Sequence, residues 1–162
     1  MKSSQEEFLE ILSKYQGIIH KVNLVYFRTV ADREDNFQEV VYQLWKSFSL
    51  LADRSKIGSW IYSVAINTSI SKIRKDCKFV LMDTMPDTET VDDADSIENK
   101  MTCEQLLDAI HKLNEVDKSI MLLYLEEHTY EQIAEIIGIS SSNVGVRISR
   151  AKKQLKTILL IN

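Results

Sequence analysis

The sequence has few residues that interrupt a helix. Its 162 residues include four glycines and one proline, and these two residue types are the strongest breakers of regular structure. Apolar residues recur three and four positions apart through most of the chain, which is the period of an amphipathic helix. The scarcity of breakers together with this period predicts an all-α fold.

Cysteine, histidine and long apolar runs are also scarce. Cys77 and Cys103 lack the CxxC spacing of a zinc site, so we expect reduced thiols. The three histidines are scattered along the chain, and the sequence predicts no metal site and no cofactor. No apolar run is long enough to span a membrane, and the N-terminal stretch lacks the apolar core of a signal peptide. These absences predict a cytoplasmic protein without membrane insertion.

Charge is distributed unevenly along the chain. The net charge of −4 alone disfavours a nucleic-acid partner. However, residues 36–78 carry seven basic and three acidic groups, whereas residues 79–100 carry one basic and seven acidic groups. The acidic stretch also contains the only proline and loses the helical period. We therefore predict an acidic linker at 79–100 between two small helical domains, 1–78 and 101–162.

Three carboxylates of the linker, Asp92, Asp93 and Asp95, are the one cluster that fits an enzyme hypothesis. Carboxylates can hold Mg²⁺, but this ion requires a rigid octahedral arrangement, and a linker without a framing helix supplies one poorly. We therefore expect that the protein is not an enzyme.

The stretch 129–153 has the pattern of two short helices joined by a tight turn. Thr129 is a helix cap with Gln132 at the capping-box position. Gly138 follows the last apolar turn and suits the left-handed conformation that ends a helix. Ser140 and the serine after it are candidate caps of the next helix. This pattern predicts a helix-turn-helix, although a helical hairpin in an ordinary bundle shares the same caps and apolar stripes.

The second helix of this motif has two chemically different sides. A predicted buried stripe recurs at steps of four, three and four and consists of Val144, Ile148, Ala151 and Leu155. The other side is small, polar and basic, as a helix in a DNA major groove requires. Gly145 costs about 1 kcal/mol relative to alanine in mid-helix, and it is either tolerated or needed for close backbone approach. The predicted DNA-binding residues are Ser142, Asn143, Val146, Arg147, Ser149, Arg150 and Lys153.

The first domain is predicted to contain three helices. The second of them is predicted to begin at a cap, Asp35, and has the strongest amphipathic pattern in the chain. Its predicted core residues include Phe37, Leu44, Trp45 and Phe48. Its other face consists of Gln38, Glu39, Tyr42, Gln43 and Lys46. On composition alone a solvated surface is the default interpretation of this face, and a partner-binding face is the alternative.

The third helix is predicted to start at Ser59. Its predicted core residues are Ile61, Val64, Ala65 and Thr68, and its accessible residues include Tyr62, Asn67, Ser71, Arg74 and Lys75. Aromatic, amide and basic groups interleaved on one helix suit base stacking, base-edge hydrogen bonds and phosphate neutralisation on single-stranded nucleic acid. A solvated basic helix end would look similar.

Two sets of residues occur in an order and spacing that are specific to one family. In the first domain they are Asp35, Gln38, Glu39, Val40, Leu44, Trp45, Ser59, Trp60, Ile61, Tyr62, Ala65 and Asn67. In the second domain they are Tyr130, Ile133, Ala134, Gly138, Ile139, Val144, Arg147, Arg150 and Ala151. With these residues the chain resembles bacterial sigma factors of the extracytoplasmic-function group. The resemblance implies an alternative sigma factor, and a stand-alone helix-turn-helix regulator is the alternative hypothesis.

The resemblance also implies partners and residue roles. It implies that the protein binds core RNA polymerase through the β′ clamp helices and the β subunit, using Asp35, Gln38, Glu39, Tyr42 and Gln43. It implies that residues 52–75 open the minus-ten element of promoter DNA and capture a flipped base, using Trp60, Tyr62, Asn67, Lys72, Arg74 and Lys75. The helix-turn-helix is implied to read the minus-thirty-five element. An anti-sigma factor is a further candidate partner.

Two positions depart from the pattern of the family. Leu51, Ala52 and Asp53 stand where an aromatic residue, arginine and glycine are usual, which puts the detail of base capture by that loop in question. Gly145 replaces a position that is commonly basic, so one expected DNA contact is in question there too.

Overall fold

The computed structural model describes residues 1–80 and 98–161, which form seven α-helices and one short 3₁₀ helix. The chain separates into two compact units, Met1–Met85 and Pro86–Asn162. The all-α prediction is confirmed in the described residues. None of their helices is both long and apolar enough to cross a membrane.

The N-terminal unit is a bundle of three helices. They are α1 (Ser4–Tyr26), α2 (Val30–Phe48) and α3 (Ile57–Val80), with the 3₁₀ helix Arg54–Lys56 directly before α3. Each of the three helices packs against the other two. The buried aliphatic side chains of the three helices include Val22, Val40, Leu44, Ile61 and Ala65.

The boundaries of α1 and α2 correct one prediction. Ser3 and Glu6 form a capping box that begins α1. The side chain of Thr29 accepts a hydrogen bond from the backbone N–H of Asp32 at 3.1 Å and begins α2. Asp35 therefore lies inside α2 and is not its cap. The charged residues before it, Asp32, Arg33 and Glu34, belong to the first turns of this helix.

The buried residues of α2 and α3 differ in part from the predicted core residues. Val64 and Thr68 are only half-buried, whereas Tyr62, Ile66 and Ser69 on a neighbouring side of α3 are buried. The reason is that α3 packs against α1 as well as α2, which widens its buried side. On α2 the buried set is Asn36, Val40, Leu44 and Phe48, while Phe37 is half-buried and Trp45 is exposed.

A buried polar network joins the three helices of this unit. The Asn36 amide on α2 donates to Asn23 Oδ1 on α1 at 2.7 Å and to Ser69 Oγ on α3 at 2.9 Å. Ser69 Oγ in turn donates to the Ala65 carbonyl at 2.7 Å, and the Asn23 amide donates to the Arg33 carbonyl at 3.1 Å. Because a buried polar group without a partner costs free energy, this network favours one register of the three helices.

The C-terminal unit contains four helices, as predicted. They are α4 (Glu98–His111), α5 (Glu115–Leu125), α6 (Tyr130–Ile137) and α7 (Ser141–Ile161). Helix α7 packs against the other three. Its predicted stripe is confirmed, because all four side chains are buried: Val144, Ile148, Ala151 and Leu155.

The helix-turn-helix has the predicted caps. Thr129 and Gln132 form the capping box of α6. Gly138 has a φ of 85°, the left-handed conformation that ends this helix. The N–H of Ile139 reaches back to the Ala134 carbonyl at 3.2 Å. Ser140 Oγ accepts from the Asn143 N–H at 3.1 Å and begins α7. Local sequence signals alone therefore define both helix ends at the turn.

Both ends of the predicted linker are helical. Helix α3 continues to Val80 and α4 begins at Glu98. Residues 79–80 and 98–100, which the prediction assigned to the linker, are therefore helical. Most of it, including Asp92, Asp93 and Asp95, lies outside the described residues. The linker itself and the magnesium hypothesis stay predictions.

We expect that Asn36→Ala lowers the free energy of unfolding of the N-terminal unit by about 1–3 kcal/mol, because Asn23 Oδ1 loses its donor in a buried site. Both tryptophans of the chain, Trp45 and Trp60, lie in this unit. Urea unfolding followed by tryptophan fluorescence therefore reports on it alone. Asn67→Ala is the matched control, since Asn67 is exposed on α3. Equal stability of the two variants would contradict the assigned role of the network.

Candidate nucleic-acid interface

The outer side of α7 presents a shallow concave surface. Ser142, Asn143, Ser149, Arg150 and Lys153 are all exposed on this helix. The concavity is lined by most of these residues together with one side chain from α6: Tyr130, Ser141, Ser142, Gly145, Val146, Ser149, Arg150 and Lys153. Small polar groups and two cations on one helix face can contact base edges and phosphates. We name this surface the α7 face.

The nearest side chain to Gly145 from another helix is the ring of Tyr130. A Cβ atom added at Gly145 would lie 3.4 Å from Tyr130 Cε2 and 3.7 Å from Cδ2. These are ordinary contact distances, so alanine fits, but a longer side chain would have to share the space with the ring. The close approach is therefore between the α7 backbone and an aromatic side chain of α6. The sequence singled out Gly145 but not its neighbour Tyr130 as part of this face.

Arg147 is the one predicted DNA-binding residue on α7 that pairs with the core. Its Nη1 donates to Asp117 Oδ1 at 3.0 Å, and the Asp117 side chain is only 10% exposed. The other carboxylate oxygen of Asp117 accepts from the Asn114 amide at 2.8 Å, at the start of α5. The Arg147 side chain is 33% exposed. Arg147 therefore links α7 to α5 through an ion pair.

A second surface lies between α2 and α3 in the N-terminal unit, and we name it the α2–α3 groove. Its α2 wall includes Asp35, Glu39 and Gln43, which are spaced four residues apart, and its α3 wall includes Asn67, Lys72 and Lys75. The α2 wall is partly acidic and the α3 wall partly basic. The structure thus brings together three predicted polymerase-binding residues and three predicted minus-ten residues.

The other predicted residues of the N-terminal unit lie outside this groove. Gln38 lines a smaller apolar groove beside His20 and Phe37, whose rings stack at 5.0 Å. Tyr42 is exposed on α2, and Arg74 is exposed on α3.

Tyr62 corrects a prediction of the sequence. It is 5% exposed and belongs to the core, because α3 is buried on the side that faces α1. Burial corrects the predicted accessibility of Tyr62, while its predicted role of supporting the base pocket or stacking stays a prediction. Trp60 is half-buried, with its ring 6.3 Å from that of Phe48. It belongs to an aromatic cluster with Phe8 and Trp45.

Family models match both units of the chain. The family described as Sigma-70 region 2 matches residues 11–78, and Sigma-70, region 4 matches residues 103–155. The chain therefore belongs to the sigma-70 family. Its sequence and its relatives assign it to the extracytoplasmic-function group of alternative sigma factors. Such a protein binds core RNA polymerase, recognises promoter DNA and supports transcription initiation.

Relatives of this sigma factor match nearly its whole length. It is 28% identical over 150 residues to the RNA polymerase sigma factor YlaC of Bacillus subtilis, with 88% of this chain and 85% of the relative covered. It is 29% identical over 171 aligned positions to the ECF RNA polymerase sigma-E factor of Haemophilus influenzae, with 96% and 88% covered. A stand-alone regulator with only a helix-turn-helix would leave the region 2 match unexplained.

Two solved structures share the fold. One is the sigma factor RpoE in complex with the anti-sigma factor NepR from Bartonella quintana, with a TM-score of 0.73 and 19% identity over 98% of this chain and 97% of that one. The other is CnrH in complex with the cytosolic domain of CnrY, with a TM-score of 0.71 and 14% identity over 99% and 92%. At these identities the likeness concerns the fold alone.

Asp53 has a structural role in the loop 51–53, which departs from the pattern of the family. Its Oδ1 accepts from the Ser55 hydroxyl at 2.6 Å and from the Ser55 N–H at 3.0 Å. These hydrogen bonds lower the pKa of Asp53, which is fully exposed. Asp53 thereby caps the 3₁₀ helix Arg54–Lys56. The guanidinium of Arg54 lies 4.3 Å from the centre of the Phe48 ring and covers the aromatic cluster.

Lys152 is a further charged group on α7 that the sequence did not single out. Its Nζ donates to the Tyr124 hydroxyl at 2.6 Å, and this hydrogen bond raises the pKa of the exposed lysine. It therefore ties α7 to α5 rather than belonging to the α7 face. Across residues 1–80 and 98–161, no cluster of histidine, cysteine, aspartate or glutamate is arranged to hold a metal ion.

We expect Arg147→Ala and Arg150→Ala to differ in their effect on stability. Arg147→Ala leaves the nearly buried Asp117 carboxylate without its cation and should lower the free energy of unfolding of the C-terminal unit by about 1–3 kcal/mol. Arg150 is exposed, so its loss should change stability by less than about 0.5 kcal/mol. Amide hydrogen exchange in α5 and α7 measures the difference. Equal exchange in both variants would show that the ion pair contributes nothing.

Proposed function

We propose that this sigma factor reads a two-part promoter with the α7 face on the minus-thirty-five element and the α3 wall of the α2–α3 groove on the minus-ten element. The observation that carries the proposal is the outer side of α7. Its exposed polar and basic residues lie opposite a completely buried stripe, which leaves them free for a major groove.

The predicted DNA contacts on α7 divide into two groups by their chemistry. Ser142, Asn143 and Ser149 are short and exposed, so they suit base edges. Arg150 and Lys153 carry the charge that phosphates require. Arg147 serves this face indirectly, since its contact with Asp117 holds α7 against α5. The modest charge of this unit is sufficient because polymerase can supply much of the non-specific DNA affinity.

In the N-terminal unit, the two walls of the groove suit different partners. Lys72 and Lys75 attract phosphates, and the exposed amide of Asn67 beside them can hydrogen-bond an unpaired base. Asp35 and Glu39 on the opposite wall repel phosphates and suit a protein partner. We assign the α2 wall, together with Gln38 and Tyr42 outside the groove, to the β′ clamp helices. The minus-ten strand then passes close to the polymerase contact.

Further parts of the proposal rest on the family. We infer contacts to the polymerase β subunit from the family. We also infer an anti-sigma factor as a regulator, because a sigma factor of the same fold is known in complex with one. We infer that the protein works in the cytoplasm, where its polymerase is. We also infer that it performs no chemistry itself, since its proposed role consists of binding and strand separation.

We expect the double variant Arg150→Ala and Lys153→Ala to lose at least tenfold in holoenzyme affinity for a promoter. The test is initiation in vitro with purified core polymerase and a library of randomised upstream elements. The negative slope of log affinity against log salt should become shallower by about 0.9 for each lost phosphate contact. Lys2→Ala with Lys14→Ala removes the same charge elsewhere and is the control. An unchanged preference for the upstream element in the α7 variant would refute the α7 assignment.

Asn67→Ala is expected to impair strand opening more than duplex binding. Loss of a base-edge contact should reduce the open complex about tenfold, while the closed complex keeps its affinity. Permanganate reactivity of unpaired thymines reports the open complex, and filter binding reports total binding. Gln16→Ala removes an exposed amide from α1 and is the matched control. If Asn67→Ala and the control open the promoter equally, the edge contact belongs to another residue.

A further inference from the structure

The α7 face contains an apolar patch among its polar groups. Val146 is 47% exposed at its centre, and Tyr130, 41% exposed, borders the same concavity. The rest of the lining is formed by three serines, Gly145, Arg150 and Lys153. An exposed valine in mid-helix adds nothing to solubility or to the buried core. Its position on a DNA-facing surface requires a different account.

The packing around Gly145 keeps this patch open to DNA. A Cβ atom added at position 145 would be in contact with the Tyr130 ring, at 3.4 Å from its Cε2 atom. A long basic side chain at 145 would have to pass over or displace the ring. The surface therefore presents a short branched aliphatic group with an aromatic wall in place of a flexible cation.

One feature of the major groove matches such a patch. Each base pair displays hydrogen-bonding groups there, and only thymine adds an apolar group, its 5-methyl. Serine and arginine on either side of Val146 can reach neighbouring base pairs, because one helical turn advances about 5.4 Å along the helix axis. A thymine seated at Val146 would thus be flanked by polar contacts from Ser142 and Ser149 or Arg150.

We propose that Val146 is a specificity residue that contacts the 5-methyl group of one thymine in the minus-thirty-five element, with Tyr130 on Gly145 forming the wall of the methyl site. The proposal rests on the proposed function of the α7 face and deepens it. It predicts a preference that polar side chains alone do not explain.

The test compares thymine with uracil, which lacks only the 5-methyl group. Upstream elements are first selected from a randomised library with the holoenzyme, and each thymine of the selected element is then replaced singly by deoxyuridine. At one position the holoenzyme should bind about three- to fivefold more weakly, as expected for the loss of one buried methyl group. Val146→Ala should remove this difference at that position and leave the others unchanged.

Leu160→Ala is the control, because it removes a 76% exposed aliphatic side chain from the same helix outside the α7 face. It should keep the thymine preference. The proposal is overturned if the selected element contains no thymine that responds to the substitution, or if the response persists in Val146→Ala. If binding still depends on the upstream element in those cases, the proposed function of the α7 face stands without the methyl contact. Loss of all dependence on that element would instead refute the proposed function of the α7 face.

Discussion

The buried stripe of α7 fixes the rotation of this helix about its own axis. Val144, Ile148, Ala151 and Leu155 are 6% exposed or less and bury one side of α7 within the C-terminal unit. Because successive residues of a helix are separated by about 100°, this contact also determines which side chains point outward. The Arg147–Asp117 pair and the Lys152–Tyr124 hydrogen bond fasten the flanks of the stripe to α5. In the proposed function, promoter recognition by the α7 face therefore depends on packing on the opposite side of the helix.

In the N-terminal unit, polar groups as well as apolar ones fix the rotation of each helix about its axis. Asn36 connects α1, α2 and α3 through donors that reach Asn23 and Ser69. An aliphatic core tolerates small rotations of a helix, whereas hydrogen bonds with defined directions do not. The network therefore holds α3 in the phase that places Asn67 and Lys75 in the α2–α3 groove.

The sequence predicted the C-terminal unit better than the N-terminal one, and the reason is physical. The ends of α6 and α7 are set by contacts within four or five residues, such as the Thr129 capping box and the left-handed Gly138. Such contacts can be recognised from adjacent residue types. The burial of Tyr62 and the exposure of Trp45 depend on where α1 lies, which no local pattern specifies. The Asn36 network joins residues from three helices and was not predicted for the same reason.

The basic residues of α7 divide into two groups with different roles. On α7 the cations that are free for phosphates, Arg150 and Lys153, are separated from those that hold the fold, Arg147 and Lys152. A count of basic residues along this helix therefore overstates its electrostatic contribution to DNA binding. The loss of a basic group at Gly145 acts in the same direction. If the α7 face reads DNA as we propose, discrimination there depends more on shape and methyl contact, and attraction to DNA more on the polymerase that carries it.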